Sequence, residues 1–128
     1  MARRPQDVTD AEREVLRVLW EDGPATVRAL TDALYPGGST SEYATVQKLL
    51  ERLSDKGHVS RRADGRQHVW SAKLKREELV ARRLRDTADE LCDGSLTPLL
   101  THLVSTARLS RDELVELRRL VDRLSRKD

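Results

Sequence analysis

The chain contains no phenylalanine, and aromatic residues make up only 3% of it. Any core must therefore be aliphatic. Its single cysteine, Cys92, excludes an internal disulfide and a cysteine-cluster metal site. One cysteine also suits a reducing cytosol. No apolar run approaches the ~20 residues of a membrane span. The opening Met-Ala-Arg-Arg-Pro-Gln-Asp lacks the apolar stretch of a signal peptide. The expected location is cytoplasmic, with no membrane partner. Catalytic motifs are missing too. There is no G-x-S-x-G, Walker loop or G-x-G-x-x-G, and Gly37-Gly38 reads as a loop. His58, His68 and His102 have no helical i, i+4 partner and no cysteine or carboxylate at ligand spacing, so each reads as a surface or strand histidine. Cys92 has no base beside it and reads as a small packed side chain. Neither an enzyme nor a metal or cofactor site is expected.

Charge is abundant. Charged residues make up 36% of the 128 positions, yet the formal net charge is only +2. The balance itself says little about nucleic acid; where the charge sits matters more. The length suits one domain, or a small domain with an appendage.

Local signals divide the chain into elements. Thr9-Asp10-Ala11-Glu12 has capping-box spacing and opens a helix with Val15, Leu16, Val18, Leu19 and Trp20 on its apolar face. Asp22-Gly23-Pro24 ends it. Thr26 caps a short second helix carrying Val27, Leu30 and Leu34, which Tyr35-Pro36-Gly37-Gly38 breaks. A third helix starts near Ser39 or Ser41, with Glu42 at capping-box distance from Ser39. Val46, Leu49, Leu50 and Leu53 follow the i, i+3, i+4, i+7 pattern and predict one buried stripe. Lys56-Gly57 is its stop, a cation against the C-terminal dipole followed by a left-handed exit.

Asp64-Gly65 then signals a two-residue hairpin turn with positive φ at both positions. That places Val59 opposite Trp70, Arg61 opposite His68, Ser60 opposite Val69 and Arg62 opposite Gln67. Beyond Lys73 the pattern is purely helical. Residues 76–92 carry Leu79, Val80, Leu84, Ala88 and Leu91 on one side, and Asp93-Gly94 breaks the helix. Ser95 or Thr97 caps a helix with Leu96, Leu99, Leu100, Leu103 and Val104 at helical spacing. Ser110, with Glu113 three residues on, opens the last helix, which carries Leu114, Leu117, Leu120, Val121 and Leu124. These helices hold more aliphatic surface than so small a piece can bury against itself, which implies a partner, most simply a second copy. The alternative is that they fold back on the first part as one larger core.

A capped amphipathic helix, a glycine stop and an arginine-loaded hairpin make the DNA-reading half of a winged helix-turn-helix. Opposite the buried stripe lie Ser41, Ala44, Lys48, Arg52 and Asp55, with Thr45 and Gln47 on the flanks. Thr, Gln, Lys and Arg reach base edges or phosphates. Small Ala44 permits close approach, and Tyr43, at the edge of the stripe, can pack its ring and turn its hydroxyl to a phosphate. Arg61, Arg62 and Arg66 surround the hairpin tip, where they can straddle a phosphate backbone or enter a minor groove. Glu51 and Asp55 oppose this reading, because carboxylates repel phosphate. They lie in the C-terminal half of the helix, which points away from the groove in such docking.

Nearly the whole chain resembles the BlaI/MecI/CopY family of repressors. The matching stretches are V-T-D-A-E-R-E-V-L-R-V-L-W at 8–20, G-P-A-T-V-R-A-L at 23–30, Y-A-T-V-Q-K-L-L-E-R-L-S-D-K-G-H-V at 43–59 and D-G-R-Q-H-V-W at 64–70. D-G-S-L-T-P-L-L-T-H-L-V at 93–104 and L-S-R-D-E-L-V-E-L-R-R-L-V at 109–121 continue the match. The resemblance implies an N-terminal winged helix, a C-terminal three-helix dimerisation module, and a dimer that binds a palindromic operator. In several members a membrane-bound sensor protease, or a cascade it starts, cleaves the repressor in the C-terminal module. That position maps near His102-Leu103, where the Asn-Phe pair of the antibiotic-responsive members is absent. Copper-responsive members carry a cysteine-rich tail; this chain ends Ser-Arg-Lys-Asp, which argues against copper sensing.

The expected architecture is mainly α with a small β-hairpin: a winged helix-turn-helix over 1–73 and a helical dimerisation module over 74–128. The expected function is a dimeric, sequence-specific DNA-binding repressor that occludes promoters. Ser41, Tyr43, Ala44, Thr45, Gln47, Lys48, Arg52, Arg61, Arg62 and Arg66 are the expected DNA contacts. Leu79, Leu84, Leu99, Leu100, Leu103, Leu114, Leu117, Leu120, Val121 and Leu124 are expected at the dimer interface. The partners are double-stranded DNA, a second copy, and a regulatory protease acting in the C-terminal part. The competing reading is a winged helix used as a protein-interaction module.

Overall fold

The computed structural model describes residues 7–106 and 108–125, save the side chains of Leu124 and Ser125. Helix α1 spans Asp10–Asp22 and starts as its residues require. The Glu12 amide donates to Thr9 Oγ1 at 3.2 Å, and the Thr9 amide donates to Glu12 Oε1 at 2.9 Å. Two amides left orphaned by helix geometry are thus satisfied reciprocally. Thr26 caps α2, Val27–Leu34, by accepting from the Ala29 amide at 3.1 Å. Ser39 caps α3, Thr40–Asp55; its amide and its hydroxyl both donate to Glu42.

Val46, Leu49, Leu50 and Leu53 are all buried, as their spacing predicts, and meet Val15, Leu16 and Leu19 of α1 and Leu30 of α2. Each such side chain contributes roughly 1.5–3 kcal/mol by leaving water. The result is an aliphatic core with Trp70 as its buried aromatic.

The hairpin consists of β1, Val59–Asp64, and β2, Gln67–Ala72. Its register differs by two residues from the one the Asp-Gly signal predicts. Val59 faces Ala72, Arg61 faces Trp70, Arg62 faces Val69 and Asp64 faces Gln67. The turn residues are therefore Gly65 and Arg66, with positive φ (63°) at Gly65 only. Glycine at the first central position is the type II′ choice, which suits strand twist as well as Asn-Gly or Asp-Gly suits type I′. The wing base is also tied to the α1–α2 connection. Ala25 and Trp70 exchange backbone hydrogen bonds of 3.0 and 2.8 Å in an antiparallel bridge that no local pattern announced.

Helices α4, Arg76–Leu91, α5, Thr97–Thr106, and α6, Arg111–Ser125, follow. The Ser110–Glu113 capping box opens α6, with both reciprocal bonds at 3.1 Å. The chain divides into two compact units, Met1–Ala81 and Arg82–Asp128. Leu74 and Leu79 belong to the core of the first. In the second, α5 buries none of its residues, and Leu100, Val104 and Val121 are each more than half exposed. Among the described residues, no helix is long and apolar enough to cross a membrane.

Candidate nucleic-acid interface

Helix α3, the start of α2 and the hairpin surround one open cleft of about 890 Å³. Tyr43 and Gln47 line it from α3, Arg61 and Arg66 from the hairpin, and Thr26 and Arg28 from α2. Tyr43, Gln47 and Glu51 are four residues apart in turn, so they form one ridge along α3, and Glu51 too lines the cleft. Glu51 thus shares the cleft wall with Gln47. Gly38 lines it as well, and a Cβ there would stand 2.8 Å from the Tyr35 carbonyl oxygen. Only glycine allows this close a turn between α2 and α3.

The wing is held by its aromatic base. Trp70 is buried, and the Arg61 guanidinium lies 5.7 Å from its ring centroid, directly across the strand pair. Such a cation–π contact contributes about 0.5–1 kcal/mol where exposed. It also orients Arg61 toward α3. The Trp70 indole N–H is buried without a hydrogen-bond partner, so backbone bridging and ring contacts hold this residue. Trp20, by contrast, donates to the Leu74 carbonyl at 2.8 Å.

The other expected DNA contacts distribute around this cleft. Ser41, Ala44, Thr45, Lys48 and Arg52 are exposed on α3 outside the cleft wall. The Thr45 hydroxyl donates to the Ser41 carbonyl at 3.0 Å, which leaves its oxygen to accept. Arg62 is exposed on the opposite face of the hairpin from Arg61. Arg28, Gln67 and His68 line the cleft although sequence reasoning passed over them. The signal for Arg28 was its place in the first turn after the Thr26 cap, where helix amides face an anion. His58 is another difference: it is 3% exposed at the α3–β1 junction, where its carbonyl accepts from the Lys73 and Leu74 amides.

The C-terminal end of α3 is fastened from across the fold. Lys56 Nζ lies 2.6 Å from Glu12 Oε1 and donates to the Asp7 carbonyl at 2.8 Å. Burial works to raise the Glu12 pKa. The Lys56 hydrogen bond, the Thr9 amide and the Lys56 charge outweigh it and hold the carboxyl below its ordinary value. Glu42 is also held below its ordinary value, by the Ser39 hydroxyl first, then by backbone amides. Both carboxylates thus brace helix ends that frame the site.

Among the residues expected to dimerise, Leu84, Leu100, Leu103, Leu114, Leu117, Leu120 and Val121 are exposed, and Leu99 is half-buried. Leu79 lies in the first unit's core at 8% exposure, because it packs with Leu74 just after the hairpin. The Leu124 side chain falls outside the described residues.

The penicillinase repressor family profile matches residues 8–123. The transcriptional regulator BlaI of Mycobacterium tuberculosis is 36% identical over 117 residues, covering 90% of this chain and 83% of that protein. The penicillinase repressor of Bacillus licheniformis is 25% identical over 122 residues, covering 95% and 94%. The crystal structure of a transcriptional regulator from Thermotoga maritima superposes with a TM-score of 0.52 at 21% identity, covering 94% of this chain and 81% of that one, a likeness of fold. With a match over nearly its whole length, this chain belongs to the penicillinase repressor (BlaI/MecI) family, whose members are transcriptional repressors and not enzymes.

Proposed function

We propose that this protein is a dimeric repressor that binds a palindromic operator and occludes its promoter. The observation that carries the reading is the shared cleft: Gln47 of α3 and Arg61 and Arg66 of the wing open onto one surface. A helix presents side chains to base edges in the major groove, and flanking guanidinium groups neutralise the phosphates beside it. Gln47 and Lys48 are the base readers in this proposal, with Ser41, Tyr43, Ala44 and Thr45 fitting the helix to the groove. Arg52, Arg61, Arg62 and Arg66 hold the backbone. Residues 1–73 form the DNA-binding part and 74–128 the dimerisation part.

Exposed Leu100, Leu103, Leu117, Leu120 and Val121 support self-association. So many large aliphatic side chains left in water favour a second copy, and two-fold symmetry repeats the reading head on a two-fold operator. A regulatory protease acting in the C-terminal part is one candidate partner in this proposal, although the Asn-Phe pair is replaced by His102-Leu103, both exposed on α5.

Selection of bound duplexes from a random library by the full-length protein, at near-physiological salt, tests the reading. An inverted repeat with half-sites about one helical turn apart is the expected result. A protein that binds neither selected nor random duplex at low salt is instead a winged helix that docks on proteins.

A further inference from the structure

Glu51 is out of place in a phosphate-binding cleft. It lines the same wall as Gln47 and faces a space bordered by Arg28, Arg61 and Arg66. Its side chain is exposed, and among the described residues it forms no ion pair or hydrogen bond. A carboxylate that lines such a cleft without pairing to the guanidinium groups that share it is free to meet a ligand. It also repels every phosphate that comes close.

An ionised carboxylate is acceptor-only. In the major groove guanine offers only acceptors on its edge, and thymine a carbonyl and a methyl group. Adenine offers a mixed edge, which a side-chain amide matches better than a carboxylate. Cytosine presents a lone amino donor there, the one edge a carboxylate fits cleanly. Gln47 and Glu51 stand one turn apart on one ridge, about 6 Å along the axis at ~1.5 Å per residue. That is a separation of roughly two base steps.

We infer that Glu51 is a specificity-determining residue whose carboxylate accepts a hydrogen bond from a cytosine amino group in each operator half-site. The inference rests on the DNA-binding function proposed above. Its second consequence is weaker binding to random DNA, because a site without that cytosine leaves the carboxylate against acceptors and phosphates.

The test is parallel selection from one random duplex library with the full-length wild type, Glu51→Gln and Glu51→Ala, followed by competition binding on the winning and random duplexes. The wild-type motif should hold a cytosine at one position of each half-site. Glu51→Ala should lose that preference by roughly tenfold to a hundredfold, with the rest of the motif kept. Glu51→Gln should move it toward adenine. Both variants should bind random duplex more tightly than the wild type. Identical motifs in all three proteins overturn the inference while leaving DNA reading intact, and so does uniformly tighter binding with no change of motif. A wild type that yields no motif overturns the DNA-binding proposal and this inference with it.

Discussion

Lys56 Nζ sits 2.6 Å from Glu12 Oε1, joining the C-terminal end of α3 to the first turn of α1. Glu12 is fully buried and Lys56 mostly so, which makes this an interior pair. The same carboxylate accepts the Thr9 amide, so one side chain caps α1 and anchors the helix that would lie in the groove.

Removing the cation should be costly. Lys56→Met leaves a buried carboxylate without its partner, and a loss of about 3 kcal/mol follows from broken interior pairs. Urea titration of both proteins measures it. The double variant Glu12→Gln, Lys56→Met should recover part of the loss, since an uncharged site carries no orphaned ion. A Lys56→Met midpoint equal to the wild type would show that the pair adds nothing.

The same carboxylate sets a pH dependence. Its folded pKa is depressed, so its contribution to stability is complete above the unfolded glutamate value, about 4.3, and is lost as pH falls through the lower folded value. Glu42 acts in the same direction at the start of α3. Stability should be flat near neutrality and drop below about pH 4. Thermal melts from pH 7 to pH 3 should show a shallower acid slope for Glu12→Gln than for the wild type. Parallel slopes would mean that Glu12 titrates normally.

Base reading and backbone holding separate by salt. Arg66→Ala should weaken binding to all duplexes and lower the slope of log affinity against log salt by about 1. Gln47→Ala should change sequence preference instead, at roughly 1–3 kcal/mol, with the slope kept. Matching behaviour of the two variants would refute this division of labour.

Self-association has its own check. Leu117 and Leu120 are exposed on α6. Replacing both with Glu should convert a dimer to monomers in sedimentation velocity at micromolar concentration. Operator affinity should fall steeply, while the helical circular dichroism of the first unit persists. A wild type that sediments as a monomer refutes the two-fold operator.

Much of the fold was legible because its signals are short-range. Thr9 with Glu12, Ser39 with Glu42 and Ser110 with Glu113 each mark a helix start within four residues. The stripe Val46, Leu49, Leu50, Leu53 declares the buried face of α3 without reference to its neighbours. The hairpin shows where such reasoning stops. A shift of two residues keeps every side chain on the same face, so hydrophobic pattern cannot choose between the two registers. Gly65-Arg66 as the turn, and the bridge from Trp70 to Ala25, decide it. Leu79 is a similar case: the sequence pattern groups it with Val80 and Leu84 on one side of α4, but its position just past the wing sends it to the first core.

Helix identity, capping, the aliphatic core stripe and the basic wing follow from residues within a few positions of one another, where periodicity and cap chemistry act. The Glu12–Lys56 pair joins residues 44 positions apart. The convergence of Arg28, Gln47, Glu51 and Arg61 on one cleft depends on how α2, α3 and the hairpin pack. Those placements belong to the tertiary structure, because contacts between distant segments exist only once the shared core has formed.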